Sequence, residues 1–499
     1  MNINVKSKFN LYGIPSRKIL LSVSLVFSII LIFSCIFFVF NNTSRVVSKI
    51  SENELREAVN SATEPVVIAL GGDIKLTGSL LIPAGKNITL TSSSKNGFYK
   101  LIGANGESTI IVEKNGMLCL DGITVTHNSD ETGCGVEVYF GGTLIMAEGV
   151  ICNNTVGVRT MPDGNTHKES GGGVLNSGKF EMRGGVIANN TAPGGGGGVL
   201  NNGGFSMSGG EISGNTAYYT GGGVYNNGYG FSMSGGEISG NTANRGGGVY
   251  NFNGKFSVNG GTIYGNNAEI GGGVDSQHGS FIMSGGVIYG NIAGDKGGGA
   301  YVNSILGNFT MYGGEISNNT AHIGGGVCFD GDFTMIDGVI SGNNANAGGG
   351  LYVGNGNFRL SGGLISCNMA ILGGGVWVDI EHLNRLFVSD GVVFSNNAAS
   401  AAYNRDPVHD VVYNSNIDSK VTWTKLFHQG YNNYDISYTV GSSYTPEPIM
   451  NSELYGVGCC GYLVLVVAFL ILIVGIVAVV LFFYFQKRGK LCRGKIVMS

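Results

Sequence analysis

The chain has 499 residues, with 87 glycines, only 8 prolines, 12% charged residues and a net charge of −4. Glycine far above its usual share of about 7%, without a Gly-X-Y period, excludes collagen, and 43% hydrophobic residues exclude a disordered glycine-rich tract. The sparse, slightly acidic charge excludes a nucleic-acid partner held by phosphate neutralisation.

Residues 1–18 form a short tail carrying Lys6, Lys8, Arg17 and Lys18, and an almost unbroken apolar run follows over 19–40. The run reaches the length of about 20 residues that crosses a bilayer as a helix. It reads as an uncleaved signal-anchor, because Phe38-Val39-Phe40-Asn41-Asn42 offers no small residues for cleavage. A cleaved signal peptide and a lipoprotein signal at Ser34-Cys35 are the competing readings. Next, Ser51-Glu52-Asn53-Glu54 has the spacing of a capping box, which predicts a short helix near 52–61 that closes one end of the core. Short β-rich runs such as Val66-Val67-Ile68-Ala69-Leu70 and Thr109-Ile110-Ile111-Val112 then predict irregular first coils over 66–126. A loop is expected at 157–170.

From there a unit repeats. Gly-Gly-Gly starts at Gly171, Gly196, Gly221, Gly246, Gly271, Gly297, Gly324, Gly348 and Gly373, so the period is near 25 residues, within the range of solenoids. A phenylalanine follows in each unit, as at Phe205 and Phe231, and an asparagine closes it, as at Asn215 and Asn241. One unit holds three short extended pieces, Val224-Tyr225-Asn226, Phe231-Ser232-Met233-Ser234 and Glu237-Ile238-Ser239, punctuated by Gly235-Gly236 and Gly240-Asn241. Phe231 and Met233 share one strand face by the two-residue alternation, and no stretch has helical spacing. These features predict an all-β, right-handed parallel β-helix with three short strands per coil, inward columns of Phe, Met, Ile and Val, and an internal asparagine ladder. The exterior β-helix is assigned to 45–410, with repeats over 130–400, and a membrane-proximal linker to 411–461, where 400–460 also holds a closing strand or two. A second apolar run covers 462–485, and the tail 486–499 carries Lys487, Arg488, Lys490, Arg493 and Lys495. The positive-inside rule puts both tails in the cytoplasm and everything between them outside the cell.

The GGGVYN, FSMSGG and ISGNTA segments resemble right-handed parallel β-helix repeats of the pectin-lyase-like superfamily, and more narrowly the repeats of polymorphic outer-membrane proteins, over roughly 130–400. Those repeats carry GGA plus an aliphatic residue or Tyr, and FxxN. This chain has GGG and Phe-x-Met instead, with Gly298-Gly299-Ala300 approaching the GGA form, and it ends in a hydrophobic helix rather than a β-barrel. The resemblance implies a surface adhesin or exposed antigen.

The search for chemistry turns up four groups. Glu211, Glu237 and Glu315 share one column, and adjacent members would sit about 5 Å apart, the spacing of a retaining glycosidase pair. Thr262, Val287, Val339 and Leu364 occupy the same column elsewhere, which marks a tolerant surface position. Asp330, Asp332 and Asp337 surround one strand and are weighed against Ca²⁺, which wants six or more oxygens; a solvated turn is the reading adopted. Asp275, His278, Asp295 and Lys296 read as a small surface patch. Tyr225, Tyr250, Tyr301, Tyr352 and Trp377 follow the aliphatic residue after each triplet, so alternation turns them outward as a ligand platform; a stacking ladder is the competing reading. Sequons at Asn87, Asn153, Asn189, Asn308 and Asn318 matter only in a eukaryotic host. Cys119, Cys134, Cys152, Cys328 and Cys367 read as buried thiols, with a Cys119–Cys152 or Cys134–Cys152 bridge as the alternative. No catalytic constellation, cofactor motif or metal site emerges. The expected function is a membrane-anchored surface protein that binds a glycan or protein, and the runner-up is a polysaccharide lyase or hydrolase located in the least repetitive coils, 66–170.

Overall fold

The computed structural model describes residues 50–93, 97–160, 166–168, 170–303, 307–379, 382, 385–400 and 436–439. Both apolar runs lie outside the described residues, and among those described no helix is long and apolar enough to cross a membrane.

The described chain winds into a parallel β-solenoid of about 12 turns. One flank is a 13-stranded sheet that takes one short strand from each coil; four successive ones are Val-x-Asn pieces, Val174–Asn176, Val199–Asn201, Val224–Asn226 and Val249–Asn251, each paired in parallel with the next. A 24-stranded sheet takes two strands from each repeat, for example Gly230–Met233 and Glu237–Ser239. In the early coils, single ten-residue strands, Met117–Thr126 and Thr143–Cys152, run through both positions without the intervening bend. With rungs about 4.8 Å apart, the rod is roughly 55–60 Å long.

The expectation of three strands per coil is corrected to four in most of the repeats. After the asparagine corner a further short strand forms, as at Thr242–Arg245, Asn267–Ile270 and Asn344–Ala347, in sheets of five and three strands. Its inward residue is an alanine in every case, including Ala243, Ala268 and Ala345. A strand of two to five residues with a single small inward alanine has no periodicity to read and leaves no hydrophobic run in the sequence. The expected loop at 157–170 contains a small antiparallel pair, Val158–Thr160 with Thr166–Lys168.

Inside, like residues stack on like. Phe180, Phe205 and Phe231 lie with ring centroids 4.7 and 4.5 Å apart and planes within 6° of parallel. The stack continues through Phe256, Phe281 and Phe309. The predicted asparagine ladder runs unbroken from Asn154 to Asn397. In each rung Nδ2 donates to Oδ1 of the next, at 3.0 Å for Asn215 to Asn241 and 2.9 Å for Asn241 to Asn266. The same Oδ1 accepts the backbone N–H of the rung before, and the same Nδ2 donates to an isoleucine carbonyl of the preceding coil. His127 sits at the first rung, its Nδ1 2.8 Å from Asn154 Oδ1 and its Nε2 3.0 Å from the Glu107 carbonyl. A second ladder, Asn176, Asn201, Asn226 and Asn251, ends on the Ser276 hydroxyl and was not foreseen. Its signal was present in the recurring Val-x-Asn piece.

Two corners explain much of the glycine. The residue before each ladder asparagine has φ between 55 and 65°; it is Gly214, Gly240 or Gly265 in some coils and Asn153, Asn189, Asn318 or Cys367 in others. Glycine and asparagine enter this left-handed region most readily. Three of the sequons thus begin at corner residues. In the triplet, Gly221 also has positive φ, at 64°, and a Cβ on Gly223 would fall 2.6 Å from the Gly248 carbonyl oxygen.

The expected helix near 52–61 forms, and most of the linker assigned to 411–461 lies outside the described residues. Ser51 and Glu54 form the capping box of the single described helix, Glu52–Ser61, whose Leu55 and Val59 seal the core. The closing strand is Ile436–Thr439, parallel to Val376–Asp379, so the segment assigned to a linker contributes one strand. None of Cys119, Cys134, Cys152, Cys328 and Cys367 is in a disulfide, so neither bridge forms. Burial pushes the Cys119 thiol up to about 11.

Candidate functional site on the outer flanks

An outward side chain is available only if nothing lies over it, and that decides the fate of the predicted aromatic platform. Val224 is fully buried and Tyr225 lies on the opposite face, so the face assignment holds. The register is Leu200, Tyr225, Tyr250, Asp275, Tyr301, Cys328, Tyr352 and Trp377. Yet Tyr250, Tyr301 and Trp377 are 7, 4 and 8% exposed, and only Tyr225 and Tyr352 are half-buried. The exposed platform is therefore corrected to a covered column. The reason is the corner next door: a Cβ on Gly297 would lie 2.7 Å from Tyr301 Cβ, and one on Gly324 2.6 Å from Cys328 Cβ. The turn backbone presses onto the column. Within it, Tyr225 meets Tyr250 edge-on at 5.2 Å and Tyr352 stacks on Trp377 at 4.5 Å.

Asp275 interrupts this column and is fully buried, which corrects its assignment to a surface patch. Arg245 Nε donates to its Oδ2 at 2.8 Å, and the Gln277 amide donates to the other oxygen. The Arg245 guanidinium lies 6.0 Å from the ring centroids of both Tyr250 and Tyr301, and Lys296 Nζ is 6.0 Å from Tyr301. Tyr301 Oη donates to Asp330 Oδ2 at 2.8 Å. Burial pushes the Asp275 carboxyl up to about 6, against the pull of Arg245. Burial is also the main cause that raises the Tyr250 hydroxyl to about 12 and the Tyr301 hydroxyl further. His278 instead meets Phe252 edge-on at 5.2 Å, so the expected patch divides. Arg245 and Gln277 were missed by sequence reasoning. The one available signal was an acid standing where neighbouring coils carry tyrosine.

The other groups resolve locally. Glu211 and Glu237 are register neighbours, as expected, and Glu237 Oε2 accepts from Tyr264 Oη at 3.2 Å. Asp332 Oδ1 accepts from the Asn357 backbone at 2.8 Å, and Asp337 Oδ1 from the Gly338 N–H at 2.7 Å. With Asp330 engaged by Tyr301, the three aspartates serve three separate partners. Among the described residues no group of acids, histidines and cysteines could hold a metal ion.

An unforeseen aromatic pair does face outward. Ser213, Ser239, Tyr264, Tyr289 and Ser317 form one column, and Tyr264 and Tyr289 stack at 5.0 Å with planes 8° apart. Tyr264 is half-buried and Tyr289 exposed. Its sequence signal was Thr-Ile-Tyr and Val-Ile-Tyr where other units read Glu-Ile-Ser. No family model, curated protein or solved structure matches the chain.

Proposed function

We propose that this is a membrane-anchored cell-surface protein whose β-solenoid stands outside the cell and binds an extended glycan or protein along its flank. In this reading the winding is right-handed and pectin-lyase-like, as nearly all parallel crossovers are right-handed. The apolar runs 19–40 and 462–485 anchor it, with both tails cytoplasmic, as their flanking lysines and arginines suggest. The observation that carries the binding reading is the stacked pair Tyr264 and Tyr289 on the outer face. Core packing does not require the pair, since the same column holds serine in other coils. Phenol edges and hydroxyls in rows suit a repetitive ligand, because amphipathic aromatics give contact area at low entropy cost.

The test is a glycan and matrix-protein array probed with the full chain in detergent. Saturable binding that falls in Tyr264→Ala plus Tyr289→Ala supports the reading. No ligand at all would leave it without support, and cleavage of uronic-acid polymers by the same sample would replace it with an enzymatic one.

A further inference from the structure

A groove of about 570 Å³ lies on the outer face of the 24-stranded sheet, floored by the strands Lys179–Met182, Gly204–Met207, Gly230–Met233 and Lys255–Val258. Its shape comes from one column. Lys179 pairs in register with Gly204, and Gly204 with Gly230. A Cβ on Gly230 would lie 3.9 Å from Lys255 Cβ, so the column reads Lys-Gly-Gly-Lys. Two missing side chains open a notch between two ammonium groups, three rungs or roughly 14 Å apart at the base. The next outward column is Ser206, Ser232 and Ser257, and Tyr229, 82% exposed, stands at the side.

The charges are unequal. Lys179 is paired with Glu181, which also takes Arg183. Lys255 is exposed and enters no ion pair among the described residues. The floor strands are paired on both sides, so no free edge exists for an added peptide strand. What remains is hydroxyls in a row, one aromatic wall and an unneutralised cation. We propose that this notch is a subsite for a short segment of an anionic glycan. Its carboxylate or sulfate meets Lys255, its ring packs on Tyr229, and its hydroxyls meet Ser206, Ser232 and Ser257. The proposal rests on the binding reading above and names the ligand class for that flank.

Gly204 supplies a clean test. A Cβ there meets nothing within 4 Å, and its φ lies outside the left-handed region, so Gly204→Leu fills the notch on a backbone that accepts it. The full chain in detergent is titrated with oligosaccharides of a polyuronate, a sulfated glycosaminoglycan and neutral cellulose. Binding is expected for one or both anionic probes, weakening with salt, and not for the neutral one. Gly204→Leu should abolish it and Lys255→Gln should weaken it about ten-fold. Lys255→Gln keeps the test decisive if the leucine variant misfolds. The carboxylated and sulfated arms distinguish the two acidic groups. Anionic binding unchanged in both variants would overturn the notch. So would binding of only neutral glycan or a matrix protein, which would leave the broader binding reading standing. Absence of every ligand would remove both.

Discussion

The interior columns and the outer column of the 13-stranded flank obey different rules. Inside, asparagine occupies every rung from Asn154 to Asn397. Outside, one column passes through Leu200, Tyr225, Tyr250, Asp275, Tyr301 and Cys328. A buried amide rung needs a hydrogen-bonding partner in the coils above and below, because each buried N–H and C=O must be met there, and an identical amide meets both at once. An outer residue needs only to fit beneath the corner backbone. Repetition therefore marks where rungs depend on one another, and variation marks where they do not.

That contrast can be broken at several points. Phe231→Ala empties a rung of the aromatic stack and should cost about 4 kcal/mol in urea unfolding. Asn241→Ala leaves the buried Asn215 N–H without its acceptor and the Ile212 carbonyl without its donor, for about 3 kcal/mol. If either behaves like a surface change, the interior is not the interdependent region.

Asp275 sharpens the outer side. Its carboxyl, raised to about 6 in the fold from its ordinary 3.8, is bonded by Arg245 and Gln277 and flanked in its column by Tyr250 and Tyr301. A raised acid favours its protonated form in the fold. Its contribution is present below about pH 4 and lost as pH rises through about 6, on the order of 3 kcal/mol. Subtracting the Asp275→Asn stability profile from that of the natural chain should reveal that fall. A flat difference curve would mean that Arg245 fully compensates the burial.

Smaller effects follow. Cys367 holds φ at 56° where other coils use glycine, so Cys367→Gly should raise stability by roughly 0.5–1 kcal/mol, read as an upward shift in melting temperature. Tyr225→Leu, which copies Leu200 one coil earlier, should stay within about 0.5 kcal/mol. A loss of several kcal/mol there would place the outer column under interior rules.

The sequence carried its register openly. Phe205 over Phe231 and Asn215 over Asn241 could be read from spacing because stacked coils repeat the same environment at the same interval. The capping box at Ser51 and Glu54 was local and equally legible. The strand after the asparagine corner was not, because a piece of two to five residues with one small inward alanine has no signal of its own. Nor was the availability of the outer aromatics: alternation tells which way Tyr301 points, but only the path of the Gly297 corner decides that it is covered. The same holds for Arg245 and Asp275, thirty positions apart and joined by the winding. Period and face are properties of a strand and travel with the chain, whereas exposure depends on what another turn lays across it.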